Sequence, residues 1–419
     1  MPASDRDKSL IRELAGRVAE IAADPVQDVR RDMWRRLNRL ERVRPLIQVQ
    51  AIDWNIWEEL IPRDRLKTSD PFMRMQELEL RKRLYCWEKI HDDRVTEDLI
   101  ACPITINGDV VATGFGVSSD LEMPEDPSGA YAIHPVIHEE KDLEMIETEP
   151  KVSVDWEKTN RHYEQLSDLY DGILRVEKRG PDFFWLCPMD WFIQWRGIEQ
   201  MFVDLLERPK WIHDALERIT VGYLSYIEQL EELNVLSPSN GNTRLGSGGY
   251  GWTDELPQPD FDGRHVRLKD MWARASTQIF TEGVSPEMHE EFAIRYENRV
   301  LQRFGLSCYG CCEPLDMKMH VVRQIGNLRR VSMSPWVNID RAAEAVGKDY
   351  VFTHKPNPTT VSMHTWDLQM ARQQLAEALQ KTRDNHVEVV LQDLHTLHGE
   401  PHRLTEWTQM AQELAAEYA

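Results

Sequence analysis

Apolar positions at Ile11, Leu14, Val18 and Ile21 recur at helical spacing, Asp24-Pro25 interrupts them, and Met33, Leu37 and Leu40 resume the pattern. Two helices are therefore expected before about Arg42. Residues 45–51 alternate and read as a strand, and a charge-rich helix is expected over 71–91. Residues 99–149, with Ile104-Thr105-Ile106 and Val110-Val111-Ala112, read as an irregular β excursion or cap. From about residue 152 helical and short apolar runs alternate. The pattern predicts a helix over 163–176, a strand over 183–187, and two helices within 199–231 broken at Arg208-Pro209. Strands over 234–237 and 271–280 come next, then a helix opened by Ser285-Pro286-Glu287, a good N-cap with Pro in the first turn. Strands over 306–309, 329–333, 350–353 and 387–391 then alternate with helices over 315–325, 339–346, 367–383 and 404–418.

That alternation implies an α/β fold with a parallel sheet and helices outside it. The architecture expected is a (β/α)8 TIM barrel: a helical extension over 1–42, an N-terminal part of the barrel with its cap over 43–150, and the main barrel over 151–419. A doubly wound open sheet is the alternative. In a barrel, residues just after each strand share the catalytic face.

The chain has 419 residues, with 71 acidic against 50 basic side chains and a net charge of −21. That balance excludes a nucleic-acid footprint and suits anionic membranes poorly. No apolar window approaches a membrane span, and residues 1–14 lack a signal-peptide core. A cytoplasmic protein is expected, where clustered cysteines serve metals or catalysis rather than disulfides.

Three of the six cysteines fall in Ser307-Cys308-Tyr309-Gly310-Cys311-Cys312-Glu313. Thiolates beside a carboxylate at a strand end suit zinc or a reactive thiol; buried apolar thiols are the other reading. Cys86 and Cys102 read as structural, and Cys187 sits at a strand end. Other strand-end candidates are His354, Lys355 and Asn357; Gln392, Asp393, His395 and His398; Asn240 and Asn242; and Asp190 with Trp191. Loop histidines and solvated pairs are the plain alternatives. The run Gly246-Ser247-Gly248-Gly249-Tyr250-Gly251 lacks the GK[ST] of a phosphate loop and reads as a lid, with Asp254 and Glu255 as polar contacts. Trp185, Trp191 and Trp195 line either a mouth for a flat or methylated ligand or a bulky core.

Several segments carry a family resemblance. Trp195-Arg196-Gly197-Ile198-Glu199 with Leu205 to Pro209, Ser285 to Phe292, Asn338-Ile339-Asp340 with Ala342 to Gly347, and Pro356-Asn357-Pro358 occur in an order similar to the uroporphyrinogen decarboxylase superfamily. That superfamily includes zinc-dependent corrinoid and coenzyme M methyltransferases. The likeness runs from about residue 180 to the C-terminus. Family methyltransferases carry HxCG at this strand end and a later cysteine, which bind zinc. Here Tyr309 falls near the histidine, Cys311 on the cysteine and Cys312 on the glycine, and the later cysteine is absent. The arginine-rich substrate motif of the decarboxylases is reduced to Arg44-Pro45-Leu46.

The resemblance implies a zinc-dependent methyltransferase moving a methyl group to or from a thiol or a corrinoid on a partner protein. Zinc ligands are expected among Cys308, Cys311, Cys312 and His395, acid–base groups among Glu313, His354, Lys355 and Asp254, and substrate contacts at Trp191, Asn240, Asn242, Tyr250, Tyr309 and Asn357. A decarboxylase that binds through His354, Lys355, Arg196 and Arg244 with an acid or base from Asp190, Asp254 or Glu313, or a barrel that binds a corrinoid or tetrapyrrole without turnover, are the alternatives. A homo-oligomer built through the helical extension is a further expectation.

Overall fold

The computed structural model describes residues 5–50, 54–123 and 131–418. Ala51, which ends the first predicted strand, and residues 124–130 of the predicted excursion lie outside the described residues. Seven parallel strands form the central sheet: β1 (Leu46–Val49), β2 (Phe184–Leu186), β3 (Trp272–Ala275), β4 (Leu306–Tyr309), β5 (Leu328–Met333), β6 (Val351–His354) and β7 (His386–Leu391). The spatial order is β1-β7-β6-β5-β4-β3-β2, so the first strand pairs with the last and the rest follow chain order. Nearly every strand residue is buried, as expected where both faces are covered.

No ladder joins β1 to β2 among the described residues. The outer edge of β1 is instead satisfied by carboxylates. Ile47 N–H donates to Asp93 at 2.7 Å and Val49 N–H to Asp92 at 2.9 Å. Arg44 and Arg94 in turn hold those two acids. An edge saturated this way cannot template another chain.

Alternation along the strands separates two environments. On β4 the Tyr309 hydroxyl reaches outward to Glu297 of the helix Arg295–Leu301, while Cys308 faces the opposite side with Arg274 and Arg330. That inner face is ionic. Arg330 pairs with Glu388 and donates to Asn38, and Thr353 and the Gly249 N–H also donate to Glu388. The helix Val26–Asn38 plugs its lower end with Trp34 and Asn38.

The glycine-rich run has a structural reason. Arg244 and Tyr250 bridge antiparallel, closing a hairpin whose tip is Ser247. The tip inserts along the inner face, where Gln50 Nε2 donates to Gly248 O at 2.7 Å. A Cβ on Gly249 would meet the Trp34 ring at 2.3 Å and Glu388 at 2.4 Å, so Gly249→Ala is expected to destabilise by about 1–3 kcal/mol in urea titration.

A second apolar cluster joins the helices Asp5–Ala22, Pro71–Tyr85 and Trp156–Tyr170 over a parallel pair, Leu99–Pro103 with Arg175–Arg179. No helix among the described residues is long and apolar enough to cross a membrane.

Several predicted elements are corrected. The helix expected to Val176 ends at Tyr170, and Arg175–Arg179 is a strand whose charges had masked it. Residues 234–237 form no strand: Asn234 turns at φ +52° and Ser237 makes a single backbone bond to Pro181. Val110–Ala112 lies in turns, and the helix expected over 315–325 is confined to Met319–Val322. The strand expected to Phe280 stops at Ala275: the Ser276 N–H still donates to Leu186 O, and carboxylates take the two N–H groups that follow, Glu313 from Thr277 and Asp190 from Gln278.

Candidate thiol site at the strand ends

Gly310 follows β4 at φ +89°, and a Cβ there would meet Leu315 at 2.6 Å. This left-handed turn swings Cys311 back over the sheet. Glu313 fixes the turn, accepting from Cys311 N–H at 2.9 Å and Thr277 N–H at 3.0 Å. Both carboxylate oxygens of that buried side chain are thus engaged by backbone. Its geometry is that of a clamp on the loop.

Cys311 is buried and Cys312 exposed, with sulfurs 3.4 Å apart. Ser247 Oγ, at the hairpin tip, lies 3.0 Å from Cys311 Sγ. Lys355 Nζ donates to Cys311 O at 2.6 Å and Ser247 Oγ at 2.7 Å, and stands 3.6 Å from Cys311 Sγ. Gln392 Nε2 adds a donor to Ser247 at 3.1 Å. The Cys312 S–H, then the Lys355 charge and Ser247, outweigh burial and Glu313 and bring Cys311 down to about 6, while Cys312 is pushed up as its partner. Of the two sulfurs, Cys311 is thus the one biased toward the thiolate. Lys355→Met is expected to raise its ionisation midpoint by about one to three pH units, read from thiolate ultraviolet absorbance.

Acids gather on the other side. Burial, then the Glu313 charge, pushes Asp190 up to about 7. Gln278 stands between the groups: its N–H and Nε2 donate to Asp190 at 3.1 and 3.0 Å, and its Oε1 lies 3.4 Å from Cys312 Sγ, competing with Cys311 for that thiol's one proton. Burial pushes Glu297 up to about 8, although Tyr309 and Thr277 donate to it at 2.7 and 2.8 Å. Both carboxyls bind protons more tightly folded than unfolded. Their contribution to stability is fully present below the ordinary carboxyl range near 4 and is lost as pH rises through about 7 and about 8. Cys311, shifted the other way, gains over part of that window. Glu297→Gln is expected to reduce the fall in Tm from mildly acidic to mildly alkaline pH, measured calorimetrically.

The structure brings together Cys311, Cys312, Glu313 and Lys355, with Asp190 one glutamine away. The other candidates lie elsewhere. Cys308 faces the ionic interior, buried among arginines. Tyr309 is buried on the outer face against His289 and Glu297. His354 caps β6, held neutral by burial at about 4, and lines with Lys355 and Asn357 a cavity of about 210 Å³ that neither Cys311 nor Cys312 lines. His395 is exposed, in a loop whose backbone Glu59 holds at Leu397 and Gly399. Trp191 donates to Tyr223 and stacks on Trp195 at 6.1 Å.

Asp254, Asn240, Asn242 and Tyr250 belong to a segment along the opposite ends of the strands. There Trp272 N–H donates to Ser239 and Trp272 Nε1 to Gly251 O. Asp254 pairs with Arg39 and Arg35, and Asn240 donates to Leu256 O. Asn242 and Tyr250 line, with Cys86, a cavity of about 570 Å³ that does not include Cys311 or Cys312.

A zinc set is not assembled. Among the described residues no group of three or more His, Cys, Asp or Glu is arranged to hold a metal ion. Two adjacent sulfurs remain after Cys308, Glu313 and His395 are placed, and an ammonium occupies the neighbourhood where a third ligand would stand. These residues do not fit the family's metal. Ser247 and Gln278 are neighbours of the thiol pair that sequence reading missed.

No family model matches the chain. No curated protein matches it either. Among solved structures, a methyltransferase from Methanosarcina mazei is similar over 92% of this chain and 98% of that chain, at 9% identity and a TM-score of 0.48.

Proposed function

We propose that this chain is a group-transfer enzyme of methyltransferase type, in which the Cys311 thiolate itself receives the methyl group. The observation that carries the reading is the thiolate cradle: Lys355, Ser247 and Cys312 all surround one sulfur at the mouth of a parallel sheet. The methyl group as cargo is what the sequence resemblance implies. So is the closed (β/α)8 barrel; the pairing of the first strand with the last supports it.

A thiolate of low basicity is ionised at neutral pH and also departs readily. The same three donors therefore serve capture and release. Methyl capture forms an S–C bond as the donor's bond to carbon breaks with its electron pair. Release to a strong nucleophile restores the thiolate against Lys355. A corrinoid on a partner protein is the acceptor that the sequence resemblance implies.

The test is single-turnover methylation of the full chain with a trimethylsulfonium salt, located by peptide mass. Cys311 is expected to gain one methyl, with a rate rising through pH about 6. Zinc content far below one equivalent in protein purified without chelator is expected alongside. Methylation of other cysteines instead, or full zinc occupancy lost together with activity on chelation, would overturn the reading.

A further inference from the structure

Asp190 is a half-buried carboxyl in the first turn of the helix Pro188–Arg196, directly after β2. It makes no ion pair among the described residues. Among the described residues its oxygens accept only from Gln278, whose Oε1 lies 3.4 Å from Cys312 Sγ. One side chain thus ties an acid to the thiol pair, and capture of an onium methyl group gives that acid nothing to do. A sulfonium donor leaves as a neutral molecule. A methyl ether leaves as an alkoxide or phenoxide, a strong base that needs a proton.

We propose that the site takes methyl ethers, with Asp190 donating the proton to the departing oxygen and Gln278 positioning it; this rests on the Cys311 capture reading above. The Cys311 electron pair forms the S–C bond. The C–O bond breaks with its pair on oxygen, that oxygen takes the Asp190 proton, and the carboxylate regains one from water. S-methyl-Cys311 and an alcohol or phenol result, with no change of oxidation state. The titratable groups facing Asp190 are the carboxyls of Glu313 and Glu297, the Cys187 and Cys311 thiols and the Tyr309 phenol. All are acidic, so each ionisation among them favours the protonated form of Asp190. Its value of about 7 leaves a large share of donor at neutral pH.

The experiment gives the full chain either methoxybenzene or a trimethylsulfonium salt and reads Cys311 methylation and phenol release. Wild type is expected to react with both, and the ether rate to fall as pH rises past about 7. Asp190→Asn, which keeps one of the two acceptor oxygens for Gln278, is expected to lower the ether rate by about 10²–10⁴-fold and abolish that alkaline limb. The sulfonium rate is expected to fall far less than the ether rate. Gln278→Leu is expected to slow the ether reaction selectively, by a smaller factor. Equal losses with both donors, or a wild type that takes methyl from sulfonium and never from the ether, would overturn the proposal. In that last case Cys311 capture stands; failure with both donors in wild type would sink capture itself.

Discussion

Cys311→Ser is expected to abolish methyl capture, lowering the rate on the order of 10³-fold or more. The hydroxyl is nearly isosteric and keeps a polar contact with Ser247, so the loop held by Glu313 survives and urea stability changes little. What is lost is the anion. A serine hydroxyl stays protonated at neutral pH even beside Lys355, and no general base within reach of it is positioned to remove the proton. Cys312→Ser makes the contrast. The variant keeps an O–H that can donate to the Cys311 sulfur, so capture persists. A poorer donor–acceptor match moves the ionisation of Cys311 up from about 6, and the rate profile moves with it. If Cys312→Ser were the inactive variant and Cys311→Ser the active one, the roles of the two sulfurs would be reversed. Peptide mapping of the methylated residue reads this directly.

Much of the sheet was legible because its strands are short apolar runs separated by amphipathic helices with good caps. Ser285, Asn338 and Asp367 all accept from the N–H three residues on, as their positions predict. The Cys311–Cys312–Glu313 cluster was legible for a related reason: three polar or reactive groups stood where a strand had just ended, and Lys355 stood at the next strand end but one. What the sequence hid was direction. Residues 234–256 follow a long helix, and taking 234–237 as a strand sent Asn240, Asn242, Tyr250 and Asp254 to the wrong end of the sheet. In the fold that segment runs back along the strand starts, and only the hairpin tip returns. Ser247 was invisible because its partners lie 64 and 108 residues away. Gln278 was hidden inside a strand predicted five residues too long. The composition of 271–280 is β-prone, but the distant carboxylates of Glu313 and Asp190 take the N–H groups of Thr277 and Gln278.

Those long-range contacts rest on the ionic interior, and Glu388→Ala tests how far. Glu388 is fully buried and accepts from Arg330, Thr353 and the Gly249 N–H. Removing it strands the Arg330 guanidinium without its counter-ion, in a space where Asn38 is its other polar partner. Breaking a buried pair from one side costs about 3–5 kcal/mol, far more than the pair itself contributes. The loss should appear in full in urea titration. The double replacement Arg330→Met with Glu388→Leu removes both charges and is expected to recover most of that stability. It cannot restore the acceptor for Gly249, which anchors the hairpin two residues from Ser247. The recovered double variant should therefore fold and yet keep a raised Cys311 ionisation midpoint, because Ser247 is less firmly held against the sulfur. A double variant with wild-type thiolate titration would show that Lys355 and Cys312 suffice and that the hairpin tip is packing alone.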